Sequence, residues 1–324
     1  MMRHLGATTL AFLSILGSPA PAQDAVPAAK ESGATAHQAL PTMGIYGFKL
    51  GQARVTTLSD GSIPLDIHAV LRNAPKATLD GLLRDAFADN PVETSINAYL
   101  IEDGDRKILV DTGAGDLFGP AGGKLLRSLE AAGVRPEQVT DVLITHVHTD
   151  HSGGLARDDA PVFPKARVHV AKADVDLFTG PRLPSDMPVR LHDEAVAALG
   201  PYARSGQLQP FSGRRVLLPG LNAIPTPGHT PGHTIYRFES DGQSIEFWGD
   251  LVHVGAVQFP RPEVTITFDA DQPAARDQRL AQFRRAAETK VLVAGAHLGF
   301  PGVGHIKRLG QGYAWVPVPF RYRD

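Results

Sequence analysis

The chain has 324 residues, 43% of them hydrophobic and 20% charged, which suits one sizeable globular domain or two small ones. Its formal net charge is −2, with Lys and Arg scattered, so no polyanion-binding face is implied and no nucleic-acid partner is expected. It has no cysteine, which excludes disulfides, thiolate metal ligands and a lipoprotein anchor.

Arg3 and His4 precede the apolar run Leu5 to Leu16, and Ser18-Pro19-Ala20-Pro21-Ala22 follows. This reads as a secretory signal peptide over residues 1–22, removed on export to the periplasm or the medium. Its apolar core is about a dozen residues, short of a bilayer span, so stable membrane insertion is not expected. Residues 23–42, rich in Ala, Pro, Ser and Gly, predict a disordered leader. A single domain is expected over 43–324.

Residues 44–50 and 54–61 read as strands, the second ending in an Asp60-Gly61 turn. Leu79, Leu82, Leu83 and Phe87 recur at helical spacing. Residues 94–101 and 107–111 predict a hairpin, and an amphipathic helix over 123–132 follows. Then come Val142-Leu143-Ile144 and the stretch Thr145-His146-Val147-His148-Thr149-Asp150-His151-Ser152-Gly153-Gly154. A short buried strand there runs into a tight loop carrying three imidazoles and a carboxylate. Ordinary core packing asks for no such cluster, whereas nitrogen and oxygen donors of this kind suit zinc and related divalent metals. Arg167 to Val170 is a further strand, with His169 read as packed rather than ligating. Residues 174–192 look irregular, and a helix is expected over 192–202, stopped near Gly200-Pro201. Three later apolar runs each end on a small residue and a ligand type: His229 after Thr226-Pro227-Gly228, Asp250 after Trp248-Gly249, and His297 after Gly295-Ala296. A long helix over 272–290 precedes the last of them. The chain thus reads as two similar halves, each a sheet with helices outside.

The motif His-x-His-x-Asp-His at 146–151, with His229, Asp250 and His297, resembles the metallo-β-lactamase superfamily. The runs 110–120 and 294–302 resemble its branch of methyl parathion hydrolase, lactonases and aryl esterases. The fold this resemblance implies is α/β: an αββα sandwich of two mixed β-sheets flanked by helices. It implies a small-molecule hydrolase with two divalent metal ions, zinc first, with manganese, iron or cobalt also compatible. His146, His148 and His229 would hold one ion, Asp150, His151 and His297 the other, and Asp250 would bridge them. A metal-bridging hydroxide would then attack the carbonyl of a lactone or aryl ester, or the phosphorus of an organophosphate triester, with Asp150 and Asp250 in catalytic roles. A homodimer is compatible with the resemblance. Asp60 and His233 are expected to support the ligands from behind, Asp60 by orienting a ligand imidazole, and Asp111 to support the metal loop. Phe118, Phe178, Met187 and Leu191 are candidates for the substrate pocket. The chain has only two Trp where phosphotriester-hydrolysing relatives resemble a more Trp-rich pocket, which favours a lactone or aryl ester. The alternatives are a thioesterase or β-lactamase of the same superfamily, and a non-catalytic periplasmic metal-binding protein.

Overall fold

A computed structural model describes residues 44–181 and 187–319. The signal peptide and leader expected over 1–42 lie outside them.

Two seven-stranded sheets carry the fold. The first runs, edge to edge, through Ile45–Leu50, Ala53–Leu65, Val92–Asp103, Arg106–Val110, Asp141–Leu143, Arg167–Ala171 and Leu208–Phe211. The second runs through Arg215–Leu218, Leu221–Pro225, Thr234–Ser240, Gln243–Phe247, Leu292–Ala294, Val303–Leu309 and Gly312–Pro317. Both are mixed: antiparallel hairpins build most of each, and parallel pairings such as Ile108 with Asp141 and Ile245 with Leu292 join the strands that precede the candidate ligands.

The central strands are apolar on both faces because each sheet is covered on both faces, while edge strands such as Ile45–Leu50 and Arg215–Leu218 are partly exposed. Along Val92–Asp103, Tyr99 and Ile101 enter a core shared with Tyr236, Phe238 and Phe247 of the other sheet. Their neighbours Ala98 and Leu100 face outward onto Leu125 and Leu129 of one helix and Leu199 and Tyr202 of another. On the far side of the second sheet, Ile235, Trp248 and Val293 pack against Phe283 and Ala286 of the helix Gln272–Thr289. The layers are therefore helix, sheet, sheet, helix, as expected.

The boundaries differ in three places. The strand Ala53–Leu65 does not stop at Asp60-Gly61; it continues through a bulge between Ser59 and Gly61. Gly61 sits at φ 149°, and a Cβ there would lie 1.9 Å from the carbonyl oxygen of Ala121. Asp-Gly serves here as bulge chemistry, not turn chemistry. The segment read as irregular begins with a helix, Lys172–Thr179, and its last residues start another, Val189–Arg204, which carries Pro201 inside it instead of stopping there. Burial of Phe178, Ala195, Ala198, Leu199 and Tyr202 against the first sheet outweighs the weak local pattern.

Candidate metal centre

The donors gather where strands of both sheets end. After Asp141–Leu143 the chain bends at Thr145 and His146, and His148, extended at φ −104° and ψ 162°, brings its ring to that of His146. The single turn Thr149–Ser152 then swings Asp150 and His151 back toward them, with the His151 amide donating to the His148 carbonyl at 3.1 Å. From the second sheet, Leu221–Pro225 leads to His229, Gln243–Phe247 to Asp250, and Leu292–Ala294 to His297. Gly249, just before Asp250, sits at φ 51°, and a Cβ there would lie 2.9 Å from His233 Nε2 and from the Thr145 side chain. Only glycine lets the chain turn Asp250 inward against that wall.

The seven side chains converge as two groups. His148 Nδ1 lies 3.0 Å from both His146 Nε2 and His229 Nε2. Asp250 Oδ2 is 3.2 Å from His229 Nε2 and 3.6 Å from His146 Nε2. On its other side, Asp250 Oδ1 is 2.9 Å from His151 Nε2 and 3.1 Å from His297 Nε2. Asp150 Oδ2 completes that second group, 3.4 Å from His297 Nε2 and 3.7 Å from His151 Nε2. Two ligands on one zinc ion at about 2.0–2.1 Å each lie roughly 3.3 Å apart, so these spacings fit cation-sized sites.

The fit has a further sign. His151 Nε2 and Asp250 Oδ1 are buried and have no hydrogen-bond partner, although they face each other at 2.9 Å. Buried polar atoms left this way ordinarily mark a missing ligand or ion. The donor set, imidazole and carboxylate with no thiolate, suits a divalent cation.

Behind the donors, four of the five rings, those of His146, His151, His229 and His297, have the outer nitrogen met in the manner of metal-binding histidines. His151 Nδ1 donates to Asp111 Oδ2 at 2.9 Å, His229 Nδ1 to Asp269 Oδ1 at 2.9 Å, and His297 Nδ1 to the Ser95 carbonyl at 2.9 Å. His146 Nδ1 is 3.1 Å from Thr145 Oγ1. Asp111 also accepts from the Thr145 amide at 2.8 Å, and its own backbone is left-handed, φ 60°. Asp174, fully buried on the helix Lys172–Thr179, accepts from the amides of Val147 (3.0 Å) and Gly232 (2.6 Å) and from Thr230 Oγ1 (2.8 Å). It ties the two histidine loops together.

Burial, with neighbouring imidazoles, holds His146 and His148 well below the usual histidine range. Burial pulls His229 the same way, but Asp250 and Asp269 outweigh it and raise it to about 9. Burial is likewise overcome at His151, by Asp250, Asp150 and Asp111, and at His297, by Asp250 and Asp150. Burial would raise Asp250, yet His151, His297 and His146 hold its carboxyl well below the usual range. Asp250 is thus held as an anion by the imidazoles around it.

The expected supporting residues divide. His233 stands directly behind the centre: its Nε2 accepts from the Asp250 amide at 3.1 Å and its Nδ1 meets Thr226 Oγ1 at 2.8 Å. Burial, then the nearby His229, lowers it to about 3. Asp60 touches no imidazole. Its carboxylate accepts from the amides of Ala114, Gly123 and Leu125 at 2.9, 3.0 and 2.9 Å, so it holds the 112–125 loop and not a ligand. The residue is a short acceptor inside a strand bulge, where three loop amides reach it before any ring does. Among the pocket candidates, Phe178 meets His148 edge-on at 5.6 Å between ring centres. Leu191 lines a shallow crevice with His148, Leu117 and Glu194. Phe118 does not line that crevice; the adjacent Leu117 does, and the Phe118 Cβ lies against Gly122. Met187 packs against the core that contains Phe178.

Sequence reasoning missed His253, Asp269, Asp174 and the Ser95 carbonyl. His253 offered a faint signal, an imidazole three residues past a ligand type in an apolar run. Nothing local marks the others.

The profile of the metallo-beta-lactamase superfamily matches residues 91–297, and the chain belongs to that superfamily. It is similar to the crystal structure of "hydrolase AbOPH in beta lactamase superfamily", at 34% identity and TM-score 0.82, over 86% of this chain and 99% of that one. It is also similar to AidC, a dizinc quorum-quenching lactonase solved with a product, at 27% identity and TM-score 0.79, over 86% and 99%. Among relatives by sequence, the "Probable metallo-hydrolase Rv2300c" of Mycobacterium tuberculosis is 26% identical over 238 residues, 62% of this chain and 74% of the relative. The fold, the family and the donor groups together make this chain a metallo-hydrolase with a divalent metal site.

Proposed function

We propose that the chain hydrolyses lactones or aryl esters at a centre of two divalent cations, zinc first, with organophosphate triesters as related substrates. The observation that carries the binuclear part is Asp250. One carboxylate oxygen faces His146 and His229, the other His151 and His297, as a bridging ligand requires. His146, His148 and His229 would hold one ion, and Asp150, His151 and His297 the other. When bound, such ions supply Lewis acidity and acidify a water to a pKa of about 7.

The chain's own residues do the rest. Asp111, Asp269 and the Ser95 carbonyl fix which nitrogen of His151, His229 and His297 carries a proton, leaving the inward nitrogen as a donor of electrons. Asp250 keeps its charge by its imidazole surroundings. Asp150 is not fully enclosed, its side chain being 15% exposed, and would take up a proton late in the reaction. Apolar groups stand near the donors: buried Phe178 beside His148, Leu117 and Leu191 in a crevice that also holds Glu194 and Thr149, and Phe268, 37% exposed, against His253 at 6.1 Å between ring centres. That supports a substrate with an acyl or aryl body, as does the likeness to AidC, a lactonase by its name.

The test is a substrate panel on metal-reconstituted protein, covering lactones, aryl esters, phosphotriesters, thioesters and β-lactams, with metal counted per chain. Two ions and turnover of lactones or aryl esters are expected. A single ion, or turnover confined to thioesters or β-lactams, refutes the reading. We also propose export with loss of residues 1–22; a mature protein from the native host that begins at Met1 refutes it.

A further inference from the structure

Ser95, Asn97 and Tyr99 lie two residues apart on the strand Val92–Asp103, so their side chains share the face toward the second sheet. There they meet the loop 295–302, which carries His297 out of that sheet. Asn97 takes carbonyls on both sides of His297. Its backbone amide donates to Ala296 at 2.9 Å, and its side-chain NH2 donates to Leu298 at 2.7 Å and to Gly295 at 3.2 Å. The Tyr99 hydroxyl donates a second bond to the Gly295 carbonyl at 2.9 Å. Ser95 accepts from His297 Nδ1 on its carbonyl at 2.9 Å and from the Phe300 amide on its hydroxyl at 3.2 Å. At Gly302, where φ is 67°, a Cβ would lie 2.7 Å from both Asn97 Nδ2 and the Tyr99 hydroxyl, so glycine lets the loop close over the two donors.

Two carbonyls need the NH2, which fixes how the Asn97 amide is turned and leaves its Oδ1 buried without a partner. A buried acceptor left unmet costs stability. An apolar side chain would pack the strand without that cost; what Asn97 adds is the grip on the loop. Of the three donors read for the second ion, Asp150 and His151 follow the first sheet and His297 follows the second. Their spacing depends on the loop 295–302 keeping its place against the first sheet, and Asn97 is the first-sheet residue that grips it on both sides of His297.

We propose that Asn97 is a positioning residue for the second cation position. By its side-chain hold on Gly295 and Leu298 it sets His297 against Asp150 and His151, and so sets the affinity of that position and not of the one formed by His146, His148 and His229. This rests on the two-cation reading above.

Chelator competition with zinc and titration with cobalt(II) would be run on wild type and on Asn97→Ala, Tyr99→Phe, Leu100→Ala and His297→Ala. His297→Ala gives the signature of losing the second position. Asn97→Ala should reproduce it in milder form, with that position weakened about 10- to 100-fold and the other unchanged, the usual scale for removing a group that orients a ligand. Tyr99→Phe deletes one donor to the same loop and should weaken the same position about 3- to 10-fold, which decides the matter if Asn97→Ala does not fold. Leu100→Ala opens a core cavity on the opposite face of the same strand and should lower Tm without changing either affinity. Equal weakening of both positions in Asn97→Ala, no weakening at all, or the same selective loss in Leu100→Ala makes Asn97 a residue of the fold alone and overturns the proposal while the two-cation reading stands. A wild type that takes up one ion overturns that reading and the proposal with it.

Discussion

Replacing Asp269 by Asn separates orientation from charge at His229. The carboxylate accepts from His229 Nδ1 at 2.9 Å and from the Ile266 amide at 3.2 Å, and lies 3.7 Å from the buried Arg279 guanidinium. With Asp250 it raises His229 from 6.5 to about 9, roughly 3 kcal/mol of preference for the imidazolium at 1.36 kcal/mol per unit. A cation must displace that proton. The variant therefore has two opposed effects: easier deprotonation favours binding below about pH 9, while the anchor is weakened at every pH, because the Asn oxygen can accept from His229 Nδ1 only by turning its NH2 toward the Ile266 amide and Arg279. Removing such an anchor typically costs 10- to 100-fold in metal affinity. The deficit of Asp269→Asn should accordingly be small near pH 7 and grow to its full size above pH 9, where His229 is neutral in both proteins. Competition against a chelator in metal-buffered solution measures it, with circular dichroism confirming the fold. A folded variant whose zinc affinity equals wild type above pH 9 would refute the reasoning.

Further outcomes are expected. His148→Ala and Asp250→Ala should each abolish hydrolysis and lower bound metal by elemental analysis; full activity with metal lost would contradict the mechanism. The metal-free protein should lose stability as pH rises. His229 has a folded pKa raised above its unfolded value, so its contribution is complete below about 6.5 and is lost through about 9. Denaturant titrations of chelator-treated protein at pH 6, 7.5 and 9 would show the fall, and a rise over that range would reverse the sign argued here. Gly249→Ala places a Cβ 2.9 Å from His233 Nε2 and from the Thr145 side chain at a left-handed position. A loss of about 2–4 kcal/mol is expected, read as a fall in Tm of several degrees. Asp60→Ala leaves three buried loop amides without their acceptor and should cost about 2–4 kcal/mol, with bound metal retained; metal loss in a folded Asp60→Ala would return it to a ligand-orienting role.

The sandwich and the donor set were legible because both are local in character. Val142-Leu143-Ile144 before His146, or Val291-Leu292-Val293 before His297, shows a buried strand ending at a ligand, and Asp271 capping Ala274 starts the last helix where its pattern begins. What could not be read was long-range. Asp269 meets His229 across 40 residues and Asp174 meets Gly232 across 58, with no local periodicity to announce either. Residues 172–179 are helical because Phe178 covers the first sheet, which weak local spacing conceals, whereas the helix expected over 192–202 is present and runs from 189 to 204. Asp60 was misread for the same reason: its neighbours were chosen by a bulge that pairing with Val92–Asp103 creates.

The donors of the metal site do not all come from one sheet: His146 and His148 follow the first, His229 and Asp250 the second. An ion seated there would act as a rivet through the sandwich, adding to the apolar core and to polar ties such as Asp174 with Gly232 and Tyr236 with the Ile144 carbonyl. Because binding to the native form alone stabilises it by mass action, stripping the ion should loosen the whole fold, and longevity in a metal-poor setting would be set by ion retention as much as by the core.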